Sequence, residues 1–151
     1  MNPATATTFG MLEIPDLSKF GRSEQLHAAL IAIVTYVKEH NAYPGNDAEK
    51  VKAMKESVTA LLKDTEGAME VEIEDEVFSN ATLYAECSIS PMAAFYGGIV
   101  AQEIVKYTGK YSPLHQWLHF DIYETLPKGE VNRAPLGSRY DDQIKIYGQE
   151  L

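Results

Sequence analysis

Apolar residues recur at spacings of three and four over Leu26, Leu30, Ile33, Val34 and Val37, which predicts a helix with one buried face, capped by Ser23 and ending around His40 to Asn41. Tyr43-Pro44-Gly45 reads as a turn. Asn46, with Glu49 three residues on, approximates a capping box for a second helix striped by Val51, Met54, Val58, Leu61 and Leu62, which Gly67 stops. Asp75 and Glu76 sit where carboxylates favour the positive end of a third, shorter helix, with Val77, Phe78, Ala81 and Tyr84 as its inner face.

The pattern changes at Ser90. Ser90 suits an N-cap and Pro91 the first helical position, where a missing N–H costs nothing. The helix that follows is apolar almost all round, through Met92, Phe95, Ile99, Val100, Ile104 and Val105, and Lys106 and Gly109 close it. Such a helix is expected to be enclosed by other structure. Gly97 and Gly98 in its middle cost roughly 1 kcal/mol each against alanine, so a compensating close approach of another backbone is expected there. Gln116–Glu124, with Trp117 and Phe120, reads as a buried strand. Pro127 to Gly137 is rich in Pro, Gly, Lys and Asn, a surface linker. Arg139–Gln143 reads as a short helix or turn; Ile144-Lys145-Ile146-Tyr147 alternates like a strand but is short enough to be irregular. Met1–Gly10 has no apolar period and is expected to be poorly ordered. The fold class is mainly α: four helices on short connections, an antiparallel helical bundle, with one or two short strands at Gln116–Glu124 and Ile144–Tyr147.

Composition narrows the function. The chain has 151 residues and 45% hydrophobic content, enough for one domain or two small pieces sharing a core. Its net charge of −9, with no local cluster of Lys or Arg, argues against nucleic acid and anionic membrane as partners. The single cysteine excludes an internal disulfide framework, and no leader or long apolar span suggests export or insertion, so a soluble protein of a reducing compartment is expected. Asn80-Ala81-Thr82 fits a glycosylation acceptor by chance in that setting.

Candidate chemistry is thin. Cys87 has no Lys, Arg or His close in sequence to lower its pKa and reads as a small packing thiol. His115 and His119 share a strand face but stand about 13 Å apart, too far for one ion, and His27 and His40 lack matching helical spacing, so no metal is expected. Glu103 near the end of an apolar helix must reach solvent or find a partner, because an unpaired buried carboxylate is costly. Asp121 and Glu124 have no nucleophile or base beside them and read as turn and surface residues. Gly97-Gly98 lies inside a helix rather than between a strand and a helix N-terminus, so it cannot cradle phosphate. No catalytic, cofactor-binding or metal-binding residue is assigned. A small hydrolase is disfavoured, since no nucleophile–base pairing can be located. A free-standing helical interaction module that binds a partner helix in an apolar groove is the alternative reading.

Several runs together carry a resemblance: Ile89 to Lys106, Gly109-Lys110-Tyr111, Gln116–Asp121, Glu124-Thr125-Leu126-Pro127, and Ser138-Arg139-Tyr140-Asp141-Asp142-Gln143-Ile144 with Gly148. They resemble the region of eukaryotic ubiquitin-activating enzymes that joins the two adenylation domains. Asp16-Leu17-Ser18-Lys19-Phe20 and Arg22-Ser23-Glu24-Gln25-Leu26-His27 resemble the entry to the four-helix bundle inserted in that family's inactive adenylation domain. The resemblance implies four segments: 1–20 as a disordered or linker entry, 21–88 as the helical bundle, 89–126 as the last helix and strand of the inactive adenylation domain, and 127–151 as a linker and the start of the active one. It implies a structural role for Met92, Phe95, Gly97, Gly98, Ile99, Glu103, Trp117, Phe120 and Arg139. His27 matches a position that the family also fills with histidine, with packing or hydrogen bonding as its role. Arg139 matches an arginine that in related adenylating enzymes reaches the partner domain's ATP, but by pseudo-symmetry it points here to the inactive site. In the family the ATP-binding strand and glycine-rich turn come shortly after this segment, and Leu151 precedes them. The implied parent is an enzyme of cytoplasm and nucleus that uses ATP and Mg²⁺, ubiquitin and conjugating enzymes; the chain alone is expected to hold no cofactor, to catalyse nothing, and to pack the two adenylation domains together.

Overall fold

The structure is a computed structural model that describes residues 12–13, 15–65, 68 and 70–150. The readings of Met1–Gly10 and of Gly67 as a stop therefore lie outside the described residues. Five α-helices are present among them: α1 (Arg22–His40), α2 (Ala48–Asp64), α3 (Asp75–Leu83), α4 (Ser90–Lys106) and α5 (Asp141–Tyr147), with 3₁₀ turns at Leu17–Lys19 and Tyr123–Thr125. The chain divides into two compact units: one comprises residues up to Ala85 together with Gln116–Asp121, the other Glu86–His115 with the residues from Ile122 onward.

In the first unit α1 packs against α2 and α3, and α2 also touches α3. Its core is Ala28, Ala29, Ile31 and Ala32 of α1, Val51, Met54, Val58 and Leu62 of α2, Phe78 of α3, and Leu12 and Ile73. The α2 stripe is as its periodicity predicts, except that Leu61 stays exposed. Its cap is Asp47 rather than Asn46, the carboxylate accepting from Lys50 N at 3.1 Å. On α1 the buried face differs from the expected one. Alanines at 28, 29 and 32 turn inward, while Leu26, Leu30, Ile33 and Val37 are only half-buried and Val34 is exposed. Small side chains let helix axes approach closely, so an alanine face can win the core over a bulkier one. Ser23 does not cap α1; its hydroxyl donates to Glu13 O at 2.9 Å, and Gly21, at φ 80°, turns the chain into the helix. Gln25 ties α1 to the start of α3: its amide donates to Glu74 Oε1 and its carbonyl accepts from Glu74 N, both at 3.0 Å.

In the second unit α4 spans the predicted residues, with Ile89 in the cap position and Pro91 in the first turn. Both strand predictions need correction. Within Gln116–Glu124 the ladder contact made among the described residues is a single parallel bridge from Leu118 to Glu13, and Tyr123–Thr125 is a 3₁₀ turn. An extended segment becomes a strand only where a neighbour supplies a row of N–H and C=O groups, and one bridging residue is not a row. Ile144–Tyr147 is the second half of α5. Its alternation is overridden by the helix start before it: Asp141 and Asp142 occupy the first turn, favourable to the helix dipole. The Asp141 carboxylate also collects the backbone N–H groups of Leu136, Gly137 and Ser138 at 3.0 to 3.1 Å, which hold it well below the usual carboxylate range. The fold is mainly α, as expected, and α4, which has no buried residue, belongs to the second unit.

Behind α5 the chain is held by Gly148, which has φ 91° and stands so close to Val131 that a Cβ would lie 2.8 Å from that residue's Cβ. This approach lets Gln149 N donate to Asn132 O at 2.9 Å and the Gln149 amide donate to Ala134 O at 2.8 Å. Gly148→Ala should lower the stability of this unit by about 1–3 kcal/mol, through both the clash and the left-handed φ. Urea unfolding followed by circular dichroism measures it, and an alanine variant as stable as the parent would contradict the close approach.

Candidate functional site

α4 is where the sequence places most of its expected packing residues, and its surface divides into two faces. At about 100° per residue, Met92, Tyr96, Ile99, Glu103 and Lys106 fall on one stripe, and these five are the half-buried residues of the helix. Glu103 meets the expectation that it must be paired: it forms an ion pair with Lys106 and accepts from Leu114 N at 2.9 Å. Those two bonds hold its carboxyl below the ordinary glutamate range, the Lys106 contact first.

The opposite face is built from Ser90, Ala93, Ala94, Gly97, Gly98, Val100, Ala101, Ile104 and Val105, all exposed. It carries no charge along its length. Ile104 is 63% exposed and Val100 56%. A Cβ built at Gly97 or Gly98 would meet nothing within 4 Å, so the expected close approach is not made by any described residue of this chain. The described residues of this chain leave that side of the helix open. Phe95 flanks the face, exposed, with its ring edge-on to Tyr96 at 5.4 Å between centroids.

Trp117 and Phe120 belong to the first unit, in the segment Gln116–Asp121. Trp117 packs on His27 with ring centroids 5.6 Å apart, and Lys19 Nζ lies 5.7 Å from the Phe120 ring. Between them His119 Nε2 meets His27 Nδ1 at 2.9 Å. His27 is fully buried, so the hydrogen-bonding role expected of it holds. Two imidazoles joined this way share one proton on the line between them, one donating and the other accepting. Burial first, then the neighbouring His27, pushes His119 down to about 4.

Asp121 corrects the reading of it as a surface turn residue. It is 5% exposed, with Lys19 Nζ 3.3 Å from its Oδ1 and 2.9 Å from its backbone carbonyl, and Arg22 Nη1 3.7 Å from Oδ2. A carboxylate this far from water persists only beside cations. The signal was in the sequence as Lys19 and Arg22 bracketing the entry to α1, but their partner lies about a hundred positions away, beyond any local rule.

Among the described residues no three His, Cys, Asp or Glu side chains converge to hold a metal, and no helix is long and apolar enough to cross a membrane. The glycine pair sits in mid-helix, and Arg139 stacks on Tyr140 at 4.8 Å with Nη2 donating to its hydroxyl at 2.5 Å. Cys87 is half-buried, and burial raises its thiol pKa, as befits a packing thiol rather than a nucleophile.

The histidine pair gives a pH dependence with a definite sign. His119 binds its proton less readily folded, about 4, than unfolded, 6.5. The unfolded state therefore takes up more protons between those values, so the contribution is full above 6.5 and is lost as pH falls toward 4. The loss should reach up to about 3 kcal/mol. His119→Gln should flatten the difference between pH 7 and pH 4.5 in urea titrations; an unchanged slope would show that the imidazole titrates normally.

The family profile described as ubiquitin-activating enzyme E1 four-helix bundle matches residues 5–59. Ubiquitin-activating enzyme E1 1 of Arabidopsis thaliana is 36% identical over 141 residues, covering 90% of this chain and 13% of the relative. Ubiquitin-activating enzyme E1 1 of Candida albicans is 31% identical over 146 residues, and ubiquitin-like modifier-activating enzyme 1 of Oryctolagus cuniculus 30% over 146, each across 90% of this chain and 14% of the relative. The chain thus spans about one seventh of the length of these curated relatives. Relatives from a plant, a yeast and a mammal align across nine-tenths of it, well past the bundle profile, and the chain belongs to the ubiquitin-activating enzyme E1 family.

Proposed function

We propose that this chain acts as a packing element of a ubiquitin-activating enzyme rather than as a catalyst. Residues 21–88 supply the bundle, 89–126 the last helix and following segment of the inactive adenylation domain, and 127–151 the linker into the active one. The assembled enzyme uses ATP and Mg²⁺ to adenylate the C-terminus of ubiquitin, forms a thioester and delivers it to a conjugating enzyme, in cytoplasm and nucleus. The observation that carries the reading is the outer face of α4: four turns of exposed Ala, Gly, Val and Ile without a charge, and two glycines with empty space above them. Mid-helix glycine is costly unless another backbone comes close, and the bodies able to do that in the parent are its adenylation domains. Met92 and Ile99 fix the inner side of the helix, Gly97 and Gly98 admit the partner, and Arg139, engaged with Tyr140, serves as structure.

Two measurements test this. The isolated chain should give no ATP–pyrophosphate exchange with ubiquitin above background, and turnover would refute the assignment. Grafted into the Arabidopsis relative in place of its matching segment, the chain should support exchange, and Ile104→Glu in that chimera should lower it at least about tenfold by placing a charge in the packed face. A chimera indifferent to Ile104→Glu would remove the packing role.

A further inference from the structure

The segment Gln116–Asp121 belongs to the first unit without being held by that unit's core. Its chain neighbours His115 and Ile122 belong to the other unit. Among the described residues the apolar core and the side chains packed on it come from α1, α2, α3 and the stretches that flank them, with none from 116–121. Trp117 stays 38% exposed, and Leu118, His119 and Phe120 are half-buried. The contacts that seat the segment are polar and aromatic. The Trp117 ring packs on His27 at 5.6 Å and lies nearly parallel to His119 at 6.4 Å, His119 bonds to His27, Asp121 sits beside Lys19 and Arg22, and Leu118 bridges to Glu13.

We propose that Gln116–Asp121 is an acid-released clasp: protonation of the two facing histidines frees the segment from α1 and its entry, while α1, α2 and α3 stay packed. The clasp lies wholly in the first unit, and neither it nor its test depends on the packing role given to α4. Two neutral imidazoles need one N–H on the line between them, and a single added proton still leaves one donor and one acceptor at the facing nitrogens. A second proton opposes two N–H groups at 2.9 Å and sets two cations in a site closed to water. His27 is fully buried and fixed on α1, so the segment outside the core is the part that moves. Around the pair, the entry contributes the cations Lys19 and Arg22, and the segment itself contributes Asp121, at 3.3 and 3.7 Å from them. Glu13 bridges Leu118 and accepts from the Ser23 hydroxyl through its backbone. Glu24 lies one turn earlier on α1, Glu74 at the start of α3 is held by the Gln25 amide, and α2 turns apolar residues to the core. Burial, then His27, holds the seated His119 at about 4 against an ordinary 6.5. The released segment therefore takes the proton more readily, and the seated-to-released ratio falls about 50-fold from pH 7 to pH 4.5.

Trp117 is the one tryptophan of the chain, so its fluorescence reads the segment while far-UV circular dichroism reads the helices. On the full chain, acrylamide quenching of Trp117 should rise at least about twofold between pH 7 and pH 4.5 with the helical signal retained, and should reverse on neutralisation. His119→Gln keeps a hydrogen-bonding amide and removes one of the two titrating rings, so its quenching should hold at the pH 7 value throughout. Should that variant release the segment already at pH 7, proton NMR of the wild-type chain decides, since the His119 ring must titrate together with the rise in quenching. Helix loss that coincides with the rise makes the event global unfolding and overturns the clasp. Trp117 emission dimmed by a neighbouring imidazolium with no gain in acrylamide access overturns it too, as does a quenching profile flat to pH 4.5. A folded His119→Gln variant that releases at the wild-type pH removes the histidine pair as the trigger.

Discussion

Apolar helix surface has to be covered on every side, and α4 is covered on one. Met92, Tyr96 and Ile99 are drawn partly out of water, while nine residues across the helix remain in it. Ordinary surface helices balance such a face with Lys and Glu, yet here the sole charges between Ser90 and Lys106 are Glu103 and Lys106, and they bond to each other on the inner stripe. A sequence selected for solubility would not keep Gly97 and Gly98 in mid-helix, where each costs helix stability and, in this chain alone, admits no neighbour. The composition and exposure of the helix thus favour contact with a second body, as the proposed packing role requires.

The first unit obeys the opposite economy. Ala28, Ala29 and Ala32 let α1 sit closely on α2 and α3, and the polar groups taken inside are matched: Gln25 with Glu74, Asp121 with Lys19 and Arg22, His27 with His119. Each of these pairings joins residues far apart in the chain. All three lie at the entry to α1, and two of them, at His119 and Asp121, bind the segment Gln116–Asp121 into this unit by polar contacts that apolar periodicity could not announce. Burial of unpaired groups at any one of them would cost more than the contact itself supplies.

What the sequence made legible follows from range. α2, α3 and α4 could be placed to within a residue or two because their signals are local: an acidic first turn, a three-and-four stripe, a proline in the first turn. The same local reasoning erred wherever a distant partner decided the outcome. Gln116–Glu124 has the composition of a strand, and among the described residues Glu13 is the one bridging neighbour it meets. Ile144 and Ile146 alternate like strand residues, yet Asp141 gathers three backbone N–H groups just ahead of them and starts a helix. On α1 the larger apolar residues made the stronger stripe and lost the core to alanines, because closeness of approach counts for more than side-chain bulk once two neighbouring helices compete for the same face.

The candidate surface was legible in part for the same reason. That α4 is apolar and notched by glycine could be read directly, and from it the need for a close partner. Which of its sides would be left open could not be read, because a helix apolar all round gives no preferred face by periodicity. The structure breaks that tie through two polar residues: Glu103 takes Lys106 and the Leu114 N–H as partners, which fixes Glu103 and Lys106 on the inner side and turns Gly97, Ala101 and Ile104 outward. A single carboxylate thus orients a helix whose apolar residues do not. The face it leaves open is apolar, small in side chain at Gly97 and Gly98, and without charge, features that favour contact with another helix or sheet.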